Sequence, residues 1–525
     1  MTAATITIDN VHNTFESIVF ANNLHEITPP DTIETIFDSS DVSEEQLVEA
    51  LKGVDRIAIM GWSSQGPAHA QNIRDTITKH GLDIEVVVGL REDSTSREAA
   101  QALGFTVVSS EEAAQTGDIL SMLISDSGQV DDAERYIGSM KVGSTLLFAH
   151  GFYLGWREQE GLPPLRNDIN IVGVCPKGMG PSVRSTYEIG SGINSSFAIE
   201  QDVDGGSIDK TLAYSAMIGS PYTFLTTLGN EWRSDIFGER AVLLGGVHGI
   251  IEGLAADVMA KNGGNAEAAY LTVVQTIVGP ITDTILNHGF RGLVENLSQD
   301  DQEIFAEAYN ASYDSYAAVI DQIYESVTSG QEIAEVVAAN RGNEGFEDIA
   351  GGDIWTTTVS LRDAQRAAGY PYQTINPKAA GMYVACMVAQ IDKLIKKGHK
   401  WSEAVNESII EAVASLNPYM KSGGVDYMVD NCSITARRGD RKWFGRFQEA
   451  TAAACQEMDR TIGVTTGTTI DHYRDFLNHD VHSALAMFDQ YRPKDAKGNL
   501  LTISVEVSPE KLAVWRAANS AKKAS

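Results

Sequence analysis

Arg56-Ile57-Ala58-Ile59-Met60 runs without a break into Gly61-Trp62-Ser63-Ser64-Gln65-Gly66, and a helix-like stretch opens near Pro67. An apolar strand that turns at glycine into a helix is the layout of a dinucleotide phosphate loop. The first glycine makes the turn, the last lets helix and strand close up, and the helix N-terminus faces the pyrophosphate. The middle glycine of that pattern is Ser63 here, and a side chain at that point crowds the approach of the phosphates. Gly61, Trp62, Ser63, Ser64 and Gln65 are the first candidate cofactor contacts.

Outward from this loop, short β-rich runs recur at Arg56–Met60, Ile84–Gly89, Ile119–Ser125, Ser144–Phe148 and Ile169–Val174, with helix-like stretches such as Ala68–Lys79 and Arg97–Leu103 between them. Alternation of this kind predicts an α/β domain with a parallel, doubly wound sheet. The second run ends at Gly89-Leu90-Arg91, with Ser94 and Ser96 following. An NAD site usually places Asp or Glu at this strand end, whereas a guanidinium with two hydroxyls suits a 2′-phosphate, so NADPH is expected. Glu92 and Asp93 add negative charge to the same loop and leave NADH use open.

The alternation fades after about residue 220. From Ser234 onward a 3.6-residue period dominates, as in Ala241–Ala260, Gln302–Val319 and Ala379–Lys397, which predicts an all-helical region. The Gly/Asp/Glu-rich stretch 341–353 separates two helical blocks. Residues 1–50 are acidic and turn-rich and read as a lead-in, followed by an α/β domain over 51–228.

A chain of 525 residues exceeds one ordinary core. Its net charge of −31 repels nucleic acid and anionic membrane, so neither is an expected partner. The four cysteines, Cys175, Cys386, Cys432 and Cys455, form no CxxC, which predicts free thiols and no zinc site. The first fifty residues carry no Lys or Arg, unlike any targeting leader, so a cytoplasmic protein is expected. The longest apolar stretch, Ala241–Leu254, is interrupted by His248 and Glu252, so no membrane-spanning helix is expected.

Two acidic pairs recur with one spacing: Asp235/Glu239, after Ser234 as the expected N-cap, and Glu407/Glu411 some 170 residues later. Carboxylates at i and i+4 share a helix face and make a hard-oxygen site for Mg²⁺ or Mn²⁺. Such pairs are common on solvated helices. These two lie beside strongly apolar residues, Ala241–Leu254 and Ile409, Ile410 and Val413, and do not read as a charged stripe.

At this point the chain resembles the ketol-acid reductoisomerase (acetohydroxyacid isomeroreductase) family in its long, plant-like form. The resemblance is carried by Gly61–Asn72, Leu123–Gln129, His150–Gly155, Cys175–Arg184, Gly192–Gly205, Ser234–Leu254 and Asn406–Arg437. It implies a Rossmann domain followed by two fused, knotted helical repeats, over 229–375 and 376–525. It implies two Mg²⁺ ions, with Asp235 bridging, Glu239 and Glu407 completing one shell each, and Glu411 reaching substrate or bound water. It places Ser433 on the substrate carboxylate, His150 and Lys177 facing the reaction, and Gln129 and Gly180 at the cofactor.

The implied reaction is alkyl migration in 2-acetolactate or 2-aceto-2-hydroxybutyrate, followed by NADPH reduction to a 2,3-dihydroxy acid of valine, isoleucine and leucine synthesis. Lys177, Glu239 and Glu411 are the candidates for moving protons. A homodimer or larger homo-oligomer joined through the helical region is also implied. Two other readings of the residues stay open: a metal-free NADP-dependent hydroxy-acid dehydrogenase using Lys177, and a non-catalytic dinucleotide sensor.

Overall fold

The computed structural model describes residues 4–7, 14–342, 353–461, 471–501 and 506–524. The chain divides into two units: Met1–Arg233 with Ile333–Gly342 and Phe488–Thr502, and Ser234–Glu332 with Asn343–Met487 and Ile503–Ser525.

In the first unit, β1 (Ala4–Thr7) and β2 (Thr14–Ser17) form an antiparallel hairpin. The remaining strands, β3 (Leu24–Ile27), β4 (Glu34–Asp38), β5 (Arg56–Met60), β6 (Glu85–Gly89), β7 (Thr106–Val108), β8 (Ile119–Met122), β9 (Thr145–Phe148), β10 (Asn170–Pro176), β11 (Ser195–Gln201) and β12 (Tyr222–Leu225), make one sheet. Its order is β3-β4-β12-β11-β10-β9-β8-β5-β6-β7. The block from β7 to β10 is parallel throughout. Its order is that of the doubly wound dinucleotide fold, with the switch point between β5 and β8.

Beyond β10 the sheet is mixed: β11 is antiparallel to β10, and β4 is antiparallel to both β12 and β3. Residues 24–38, read from sequence as lead-in, thus supply two strands. β3 closes one edge of the sheet, and β4 lies between it and β12. The β5 run is apolar from Ile57 to Met60 because both its faces are covered there. Ile57 and Ile59 enter one core cluster, and Ala58 and Met60 the other.

Among the described residues of the second unit all regular structure is helical. Three long helices frame it: Gln299–Thr328, Pro377–Lys396 and Ile434–Thr461. Pro377–Lys396 is buried at every position from Ala379 to Ile391, as a helix through the middle of a core must be. Most of the expected separator 341–353 lies outside the described residues.

The expectation about membrane spans needs revision. Leu228–Lys261 and Ala266–Glu295 are both long and apolar enough to cross a bilayer, but 72% and 78% of their apolar windows are buried inside the protein. Those residues serve the protein's own core.

Candidate active site

The β5 loop has the shape its sequence predicts. Gly61 sits at φ +107°, and a Cβ there would lie 2.5 Å from the Leu123 carbonyl oxygen, so only glycine lets β5 turn beside β8. The helix that follows, Gln65–His80, begins two residues earlier than expected. Ser63 and Ser64 are exposed, and Trp62 packs edge-on against Phe105.

Gly180 closes on this loop from the start of helix Gly180–Glu188. Its amide donates to Ser64 Oγ at 3.2 Å, while Gln65 Nε2 donates to the Gly178 carbonyl at 2.9 Å. Any side chain on Gly180 would overlap the Ser64 carbonyl. Gln129 is buried and donates to the Ile124 carbonyl at 3.0 Å, tying its helix to the end of β8. Beyond β6, the Ser94 amide donates to the Arg91 carbonyl and the Ser96 amide to Ser94 Oγ. Arg91, Ser94 and Ser96 therefore share one tight turn, with the exposed Arg91 side chain 3.9 Å from Asp93.

His150 and Lys177 are joined by a residue that sequence reasoning missed, Glu231. Lys177 Nζ lies 3.2 Å from Glu231 Oε1, His150 Nδ1 lies 3.3 Å from it, and the Gly151 amide donates to Oε2 at 2.6 Å. Lys177 and Glu231 are 2% and 1% exposed, so the pair is out of water. Burial alone would raise the Glu231 carboxyl, but Lys177 and then His150 outweigh it and hold it far below the usual carboxylate range. The available signal was spacing: Glu231 stands four residues before Asp235.

The helix bearing Asp235 and Glu239 begins earlier than its sequence suggests. It spans Leu228–Arg240, and Thr227 Oγ1 accepts from the Asn230 amide at its start. Ser234 is therefore not the N-cap but an interior, fully buried residue whose Oγ donates to Glu403 Oε1 at 2.9 Å. Glu407 lies in a π-helical segment, Asn406–Ile410, and a second such segment, Ala412–Leu416, begins just after Glu411. Wide turns of this kind recur at functional sites.

Ligand oxygens of Asp235, Glu407 and Glu411 all lie within 4.8 Å of one another, with Glu407 and Glu411 buried. Three carboxylates this close and this dry repel one another, and a hard divalent cation is the counter-charge that suits an all-oxygen donor set. Glu239 is not in this tight group. Arg240 Nη1 donates to it at 3.2 Å, and Arg240 Nε is itself held by Glu332 at 2.7 Å.

Ser433 is exposed and accepts from the Ala436 amide at 3.0 Å, in the first turn of helix Ile434–Thr461. Burial, and then the charges of Glu239 and Asp440, push the neighbouring Cys432 thiol up, as does Glu411, so it is no thiolate nucleophile. All four cysteines are free thiols.

A Rossmann sheet with glycine at its switch point, joined in one chain to a helical unit that gathers buried acids, defines a dinucleotide-dependent enzyme of two domains. Residues 50–223 match the family model described as "Acetohydroxy acid isomeroreductase, NADPH-binding domain", and 228–366 with 379–500 match "Ketol-acid reductoisomerase, C-terminal domain". The chain belongs to the ketol-acid reductoisomerase family.

It is 43% identical over 467 residues to the chloroplastic ketol-acid reductoisomerase of Spinacia oleracea, covering 85% of this chain and 77% of that one. It is 42% identical over 471 residues to that of Pisum sativum, covering 85% and 79%. A solved NADH-preferring ketol-acid reductoisomerase from an uncultured archean shares the fold at a TM-score of 0.55 and 24% identity, over 62% of this chain and 98% of that one. The expectation of a cytoplasmic protein is corrected by these relatives. The two plant enzymes are chloroplastic, so a cytoplasmic placement does not follow from this family.

Proposed function

We propose that this chain converts 2-acetolactate and 2-aceto-2-hydroxybutyrate to 2,3-dihydroxy acids by alkyl migration and NADPH reduction, in branched-chain amino acid synthesis. The observation that carries the reading is the convergence of Asp235, Glu407 and Glu411 in a chain of this family.

Asp235, Glu407 and Glu411 would hold Mg²⁺, with Glu239 as a further ligand and Ser433 on the substrate carboxylate. When bound, the metal supplies Lewis-acid polarisation of the ketone and favours the alkoxide of the neighbouring hydroxyl. The alkyl group then leaves C2 for C3 with its bonding electrons. C2 becomes the new carbonyl, and the C3 oxygen takes a proton. Glu231 holds Lys177 and His150 as the groups positioned to move protons in the first unit. A bound nicotinamide would supply the hydride that C2 of the 2-oxo acid requires, and the C2 oxygen takes a second proton to complete the 2,3-dihydroxy acid. Gly61–Gln65 and Gly180 would seat the pyrophosphate, with Arg91, Ser94 and Ser96 on the 2′-phosphate.

Incubating the protein with 2-acetolactate, NADPH and Mg²⁺, and identifying the product by NMR, tests this. A 2,3-dihydroxy acid with its methyl group moved supports it. Direct reduction of the unrearranged ketone, or no product, contradicts it.

A further inference from the structure

The two helices that carry the acids are tied together one residue before Asp235 and one turn before Glu407. Ser234 Oγ donates to Glu403 Oε1 at 2.9 Å. Glu403 Oε2 lies 2.8 Å from His399 Nδ1, and the Tyr324 hydroxyl lies 3.0 Å from His399 Nε2, both within hydrogen-bond distance. Ser234, Glu403, His399 and Tyr324 are all at least nine-tenths buried. A carboxylate removed from water is costly unless hydrogen-bonded, so these contacts help to keep Glu403 in place.

Two further contacts show how closely the helices approach. A Cβ on Gly238 would meet the Glu407 carbonyl oxygen at 3.1 Å, so the helix backbones nearly touch there. Gln390 then bridges them: Oε1 accepts from the Val242 amide at 2.9 Å, and Nε2 donates to the Glu407 carbonyl at 3.0 Å. Val242 needs that partner because Ala241, at φ −92° and ψ −121°, breaks the helix before it.

We infer that Glu403, held by Ser234 and His399, is a positioning residue that fixes the register at which Asp235 meets Glu407 and Glu411. It touches no reacting group. It sets the spacing of the oxygens that would take the metal, and so the inference rests on the proposed Mg²⁺ site. Outer partners of metal ligands act this way when they restrict the ligand's orientation before the ion arrives.

The test measures Mg²⁺ dissociation constants by calorimetry in moderate salt for wild type, Ser234→Ala, Glu403→Ala and Glu403→Gln, with Asp235→Asn as the benchmark. Thermal melting without metal and NADPH binding are measured alongside. Ser234→Ala removes one oxygen and preserves the packing, so it reports even where Glu403→Ala fails to fold. The expected result is an Mg²⁺ affinity lowered about tenfold to a hundredfold in Ser234→Ala, with NADPH binding unchanged. Glu403→Gln recovers most of that affinity, because its amide can face His399 in the other tautomer while its oxygen faces Ser234. Wild-type Mg²⁺ affinity in Ser234→Ala, with affinity lost in Asp235→Asn, overturns the positioning role and leaves the metal site standing. Wild-type affinity in Asp235→Asn removes the metal site and the inference with it.

Discussion

Glu231 Oε1 lies 3.2 Å from Lys177 Nζ in a pocket from which water is excluded, and it also receives His150. Removing one partner from a buried pair leaves the other charge without its counter-ion. Glu231→Gln is therefore expected to cost about 3 kcal/mol of stability in denaturant titrations. It should also slow turnover roughly a hundredfold, since it unseats both groups proposed to move protons. Unchanged turnover in a folded variant would show that the three residues serve packing alone.

Asp235→Asn keeps the shape of its side chain and loses its charge. The several kcal/mol that a Lewis acid contributes correspond to a fall of at least about a thousandfold in conversion of 2-acetolactate. NADPH binding, followed by fluorescence, should stay as in wild type, because the dinucleotide loop belongs to the other unit of the chain.

Arg91→Ala is expected to act on the cofactor and not on the chemistry. Loss of a charge-assisted hydrogen bond to a 2′-phosphate amounts to roughly a tenfold rise in the KM for NADPH. The kcat, and the KM for NADH, should hold. An equal rise for both cofactors would take Arg91 off the 2′-phosphate.

The helical unit contains a buried cation whose effect on stability depends on pH. His248 pairs with Asp440 at 2.9 Å and stacks on Phe444 with ring centroids 4.4 Å apart. Burial alone would lower the imidazole, but Asp440, and behind it Glu252, raise it to about 9 from an ordinary 6.5. A raised folded value means the stabilisation is full below the unfolded value and is lost as pH climbs through the folded one. His248→Gln should thus cost roughly 3 kcal/mol near pH 6 and progressively less toward pH 9. Equal costs at both ends of that range would contradict the ion pair.

Much of this was legible from local pattern. The unbroken apolar run Ile57–Met60 announced a strand covered on both faces, and glycine at 61 announced the turn beside β8. The acidic pairs were seen as pairs, yet each is the end of a triplet at fourfold spacing: Glu231, Asp235 and Glu239, then Glu403, Glu407 and Glu411. The first member of each looks like surface charge because its partners are distant in sequence. Lys177 is 54 residues from Glu231, and Ser234 is 169 from Glu403. Ser234 was misread as an N-cap for the same reason, since a serine before an aspartate has the local signature of one. The edge strand β3 and its neighbour β4 were hidden by their charged residues and by the break at Pro29-Pro30.

The central claim is that a divalent metal on Asp235, Glu407 and Glu411 is required for the rearrangement. Its most direct test is acetolactate-dependent NADPH oxidation by protein stripped with EDTA, then titrated with Mg²⁺. The account predicts no oxidation in the stripped protein and saturable recovery on adding Mg²⁺, absent in Asp235→Asn. Full turnover after exhaustive chelation would contradict it.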